Sequence, residues 1–126
     1  MAQRRVLVVD DEPTIRAALL RFFTRQGFEV EAAADGREAL DRLLRDGPSP
    51  DVIVCDFRMP EVSGAEVYAR VEAVRPDLRH RFIFSSGDIV SEEHQQFLER
   101  ALCPVLQKPF ELARLREAVD RIAPPP

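Results

Sequence analysis

The chain is short of several things that would have pointed elsewhere. It has only two cysteines, Cys55 and Cys103, and they stand alone without metal-ligand spacing. That excludes a disulfide framework or a thiolate metal site and leaves two small buried side chains as the expectation. It lacks an excess of positive charge: the formal net charge is −4, which argues against direct nucleic-acid binding, since that needs a basic footprint. No apolar run approaches the length of a membrane span, and the N-terminus lacks the long apolar core of a secretion signal. The expected compartment is therefore the cytoplasm, with no membrane partner. Apart from the closing prolines there is no low-complexity stretch and no internal linker. A single domain is expected over 1–126, with its core from about residue 4 to 122 and a proline tail at 124–126.

What is present is an alternation. Of 126 residues 45% are hydrophobic, enough for one real core. Val6-Leu7-Val8-Val9 is a continuous apolar run ending abruptly in acid, as a strand covered on both faces would. Pro13 suits a helix first turn, Ile15, Ala18, Leu19, Phe22 and Phe23 follow at helical spacing, and Gly27 ends the helix. Phe28–Ala33 reads as a second strand. Asp35 with Glu38 makes a capping box for a helix carrying Ala39, Leu40, Leu43 and Leu44. Asp51–Asp56 is a third strand, followed by a loop holding Pro60 and Gly64. Ser63 and Glu66 box a helix with Val67, Tyr68, Val71 and Val74 inward. Phe82–Ser85 is a fourth strand. Ser91 is placed to cap a helix burying Phe97, Leu98, Ala101 and Leu102. Pro104–Gln107 is a short fifth strand, and Leu112, Leu115, Val119 and Ile122 line a last helix. Five strands alternating with five helices imply an α/β fold, a mostly parallel (βα)5 sheet with helices on both faces, for which a doubly wound order such as 2-1-3-4-5 is the leading candidate.

In that architecture ligands bind at the C-terminal strand ends. The residues there are Asp10, Asp11 and Glu12, then Asp56, then Ser85 and Ser86, then Lys108-Pro109. Clustered carboxylates repel, and a divalent cation relieves them. Oxygen-only ligands with room for water suit Mg²⁺. Asp56 is then placed to attack phosphorus as a nucleophile, with Lys108 and Ser86 contacting the phosphoryl oxygens. A flavin or nucleotide binder would need a Gly/Ser/Thr-rich loop after the first strand, where Asp10-Asp11-Glu12 stand instead.

The set Asp10-Asp11, Asp56 with Met59-Pro60, Ser86-Gly87 and Lys108-Pro109-Phe110 resembles the receiver domain of two-component response regulators, over about Arg4 to Ile122. The resemblance implies a flavodoxin-like fold and phosphorylation of Asp56 from a phosphohistidine, so the partners expected are a histidine kinase or a histidine phosphotransfer protein. It implies Mg²⁺ held by Asp11, Asp56 and the backbone carbonyl of Arg58, with Asp10 acting through water. It also implies a cis Lys108–Pro109 bond and an output face made by the fourth helix, fifth strand and fifth helix, which receivers use to dimerise or bind a partner. Val105 stands where receivers often carry an aromatic switch residue, which puts that output mechanism in doubt. The stretch Val105–Phe110 looks more like the receivers of hybrid sensor kinases. Arg58 and Asp88 carry opposite charges and are placed to pair at the pocket mouth. The expected chemistry is confined to the chain's own aspartyl phosphorylation and dephosphorylation. A haloacid-dehalogenase-type enzyme would carry a second carboxylate at Arg58, and a phosphorylation-independent scaffold would lose one of the acidic, hydroxyl or lysine groups. His80 and His94 read as surface residues.

Overall fold

A computed structural model describes residues 3–87 and 92–125. Its elements are β1 (Arg5–Val9), α1 (Pro13–Arg25), β2 (Glu29–Ala33), α2 (Gly36–Leu44), β3 (Val52–Asp56), α3 (Gly64–Val74), a 3-10 helix (Pro76–Arg81), β4 (Phe82–Ser86), α4 (Glu92–Ala101), β5 (Val105–Gln107) and α5 (Leu112–Ile122). The strands form one parallel sheet in the order β2-β1-β3-β4-β5, the doubly wound arrangement expected. The expected Ser91 cap, the Arg58–Asp88 pair and the last proline lie outside the described residues.

The apolar runs are continuous because both sheet faces are covered. Side chains alternate across a strand, so Leu7, Val9, Ile53, Cys55, Phe82 and Phe84 enter one core with α2, α3 and part of α4. Val6, Val8, Val52, Val54 and Ile83 enter the other, with Leu19 and Phe23 of α1 and Leu115, Ala118 and Val119 of α5. The same alternation separates two neighbours at the end of β3. Phe57 belongs to the first core, whereas Asp56 is in phase with Val52 and Val54.

Helix starts follow local chemistry. Asp35 accepts the Glu38 N–H at 2.8 Å, and Glu38 reaches back to the N–H of Ala34, one residue before the cap. Ser63 accepts the N–H of Glu66 at 3.2 Å. Five apolar residues depart from the expected inward faces, one of them Leu44 at the end of α2, 37% exposed. Leu102 is 80% exposed with φ of 56°, because α4 has already ended at Ala101. Val74 closes α3 and is exposed; the 3-10 helix that follows supplies the fully buried Leu78 instead. Leu112, the first residue of α5, and Ala18 are exposed along one groove between α1 and α5.

The two ends of the fold are stapled by Arg4. Its guanidinium pairs with Asp120 at 3.0 Å, donates to the Ala123 carbonyl at 2.9 Å and lies 4.2 Å from the Phe28 ring centroid. Arg4→Ala removes a half-buried ion pair, a charge-assisted hydrogen bond and a cation–π contact. The expected loss is about 1–2 kcal/mol, read as a lower urea midpoint at unchanged m-value.

Candidate active site

The strand ends deliver their acids to one crevice. Asp10 follows β1, and its N–H donates to the Ala33 carbonyl at 3.2 Å. Its Oδ1 accepts the Glu12 N–H at 2.9 Å, a tight Asx turn that carries the chain into α1. Arg16, one turn into that helix, donates to the Asp10 carbonyl at 2.8 Å. Asp56 is the last residue of β3. The loop after it is tied down twice, by Phe57 N–H to the Ser85 carbonyl at 2.8 Å and Gly64 N–H to the Phe57 carbonyl at 2.9 Å. Ser86 ends β4 and is buried, and its carbonyl accepts the Lys108 N–H at 2.7 Å. The peptide bond between Lys108 and Pro109 is cis.

Lys108 is the electrostatic centre. Its ammonium lies 3.0 Å from Asp10 Oδ2, 3.3 Å from Asp56 Oδ2 and 3.6 Å from Glu12 Oε1. Asp10 and Asp56 are buried, while Asp11 and Glu12 face solvent. Burial pushes the Asp56 carboxyl up to about 6; Lys108 opposes that shift, and Asp10 adds to it. For Lys108, burial favours the neutral amine, but the hydrogen bond to Asp10 and the charges of Asp56 and Asp10 outweigh it and hold the ammonium above its ordinary value.

Carboxylate oxygens of Asp10, Asp11 and Asp56 all lie within 4.8 Å of one another. A hard, all-oxygen donor set of that span, with Asp11 open to water, fits Mg²⁺. The Arg58 N–H stands 3.4 Å from Asp56 Oδ1, so its main chain lies at the rim of the pocket, while the side chain is exposed. Asp10, Asp56, Ser86 and Lys108 thus stand at or directly after strand ends with Asp11 beside them, while Arg58 lies in the loop two residues beyond β3.

Three features of the surroundings were not foreseen. Glu12 joins the Lys108 cluster, although its place directly after Asp10-Asp11 was a visible signal. Lys108 is also the only lysine among 18 basic residues, all others being arginine, a compositional sign that this position requires an ammonium. His94 is not a free surface residue: it is half-buried, with its ring edge-on to Phe57 at 4.8 Å. Phe57 also meets Phe84 at 5.5 Å and Phe97 at 5.8 Å, so the residue after Asp56 is packed directly against α4.

Comparison with known proteins agrees with this geometry. Residues 6–120 match the response regulator receiver domain family. The chain is 38% identical over 124 residues to the response regulator MprA of Mycolicibacterium vanbaalenii, covering 95% of this chain but 52% of that protein. It therefore spans about half the length of such relatives. The sporulation initiation phosphotransferase F of Bacillus subtilis is 27% identical, with 98% of this chain and 97% of the relative covered. Among solved structures, the chemotaxis protein CheY4 of Vibrio cholerae superposes with a TM-score of 0.82 at 31% identity, covering 96% of this chain and 99% of that one. With a five-stranded 2-1-3-4-5 sheet and an acidic pocket at its carboxyl edge, this chain belongs to the response regulator receiver domains of two-component signalling.

Proposed function

We propose that Asp56 accepts a phosphoryl group from a phosphohistidine on a histidine kinase or histidine phosphotransfer protein. The observation that carries this reading is the buried Asp56 carboxylate at a strand end, ringed by Asp10 and Asp11 and 3.3 Å from the chain's only lysine. A relative named a phosphotransferase, matched along nearly its whole length, supports a role within a phosphorelay.

In the step, an Asp56 oxygen forms a bond to phosphorus as the P–N bond breaks, and the departing imidazole nitrogen keeps that electron pair and takes up a proton. Asp11, Asp56 and the Arg58 carbonyl would hold Mg²⁺, with Asp10 acting through water; when bound, the ion offsets the charge between carboxylate and phosphoryl oxygens. Lys108 turns its ammonium from Asp10 toward a phosphoryl oxygen, and the Ser86 hydroxyl donates to another. Aspartyl phosphorylation and its hydrolysis are the whole of the chemistry; no outside substrate is turned over.

The modification adds charge and acceptors beside β4 and biases α4, β5 and α5 between two packings. That face is the surface for a partner or a second copy. Val105 is partly exposed on β5 and has no ring to swing, so the coupling to α4 runs through Phe57 and its aromatic neighbours.

The test is intact mass after incubation with acetyl phosphate or phosphoramidate. The expected result is a Mg²⁺-dependent gain of one phosphoryl group in the native chain and none in Asp56→Asn. A gain that survives the substitution would remove Asp56 from this role.

A further inference from the structure

Glu12 stands apart from the other acids around Lys108. Asp10 and Asp56 are buried, whereas the Glu12 side chain is 59% exposed, which places it on the solvent side of the ammonium. It occupies the N-cap position of α1, yet its carboxylate accepts no capping hydrogen bond; it lies instead 3.6 Å from Lys108. It also lines the groove shared by Gly87, Lys108 and Pro109. An exposed pair of this kind contributes little stability, so its consequence lies in the field it sets at the pocket mouth.

We propose that Glu12 is a specificity-determining residue that disfavours acyl phosphate donors relative to donors carrying phosphorus on a protonatable nitrogen. The inference rests on Asp56 as the phosphoacceptor. A phosphoryl group bound beside Asp56 shares Lys108 with the Glu12 carboxylate, 3.6 Å from the ammonium, so it meets that charge and competes with it. Acetyl phosphate arrives with a carbonyl oxygen and a fully anionic phosphate. Phosphoramidate carries a proton on its leaving nitrogen, and a protonated phosphohistidine carries one on the other ring nitrogen, so each brings one negative charge fewer. Repulsion by Glu12 falls harder on the first. In both reactions the Asp56 oxygen–phosphorus bond forms; with acetyl phosphate the P–O bond breaks and acetate leaves with the electron pair, and with phosphoramidate the P–N bond breaks and ammonia leaves. A charge difference of one unit acting over several ångströms at a wet protein surface changes a rate by roughly three- to tenfold.

The experiment compares initial phosphorylation rates of the native chain, Glu12→Gln and Glu12→Asp with acetyl phosphate and with phosphoramidate, at saturating Mg²⁺, in low and high KCl. The expected result is an acetyl phosphate rate about three- to tenfold higher in Glu12→Gln, with phosphoramidate changed less than about twofold. Glu12→Asp keeps the charge and stays near the native ratio, and high salt shrinks the difference between variants. Equal acceleration with both donors, or a change matched by the Mg²⁺ dissociation constant from calorimetry, would overturn donor selection and leave the phosphoacceptor reading standing. Absence of phosphorylation by either donor in the native chain would overturn both.

Discussion

Replacing Lys108 with alanine is expected to lower stability by about 2–4 kcal/mol at neutral pH without Mg²⁺, a fall in Tm of roughly 10 °C. The side chains of Asp10 and Asp56 are 2% and 7% exposed, so removing the ammonium leaves two buried carboxylates facing each other. The loss depends on pH in a defined direction. Asp56 in the native fold is pushed up to about 6 from an ordinary 3.8, so the folded state holds that proton more tightly than the unfolded chain. Its stabilising contribution is complete below the unfolded value and disappears as pH rises through about 6. The native apo protein should therefore be less stable at pH 7.5 than at pH 5 by roughly 1–2 kcal/mol from this group, the full shift being reduced by water at the pocket. Without Lys108 the neutral carboxyl is favoured further, so Lys108→Ala should recover most of its lost stability at pH 5 or on adding Mg²⁺. Urea titrations at the two pH values, in chelator and in Mg²⁺, would read this. A pH-independent loss would mean that packing of the lysine stem, not charge, is what the substitution removes.

Gly64→Ala is expected to damage chemistry as well as stability. A Cβ built on Gly64 would sit 2.5 Å from the Asp56 carbonyl oxygen and 2.9 Å from the Phe57 Cα. Both are main-chain atoms, so the end of β3 must move. The cost is about 2–3 kcal/mol of overpacking, and a displacement of even ~1 Å at Asp56 lowers the phosphorylation rate by about 100-fold. Gly36→Ala is the comparison: its Cβ would lie 2.5 Å from the Val62 carbonyl oxygen, away from Asp56, so it should destabilise while retaining most of the rate. Stability by urea and rate by intact mass separate the two effects. Equal loss of rate in both variants would show that Gly64 acts through general destabilisation.

Much of this was legible before any coordinates because the relevant rules are local. Val6–Val9 and Val52–Cys55 are apolar on both faces, Asp35 and Ser63 announce their helices, and alternation of strand and helix leaves few windings. The identity of the pocket residues was legible for the same reason: topology alone puts strand ends on one edge. What could not be read is set by distant contacts. Lys108 meets Asp10 across 98 residues and Asp56 across 52, and no local pattern fixes which oxygen it chooses or that Glu12 joins them. His94 looks like a surface residue because its own neighbours are polar; the ring that covers it, Phe57, arrives from the loop after β3. Leu102 and Val74 fit helical spacing, but each stands where its helix ends, and periodicity does not see the end of a helix. The 3-10 helix did carry a signal, Pro76 at its first position.

The arginine-only surface gives the lone lysine a use beyond the reaction. Reagents that acylate or alkylate amines find, besides the chain terminus, a single nitrogen, and that nitrogen is held as an ammonium between Asp10 and Asp56. Its labelling rate is therefore a built-in gauge of pocket occupancy, readable at one peptide without fluorophore, tag or mutation. Conversely, amine-directed crosslinkers and surface coupling leave the α4, β5 and α5 faces unmodified among the described residues, so immobilised protein would keep the face proposed for output free.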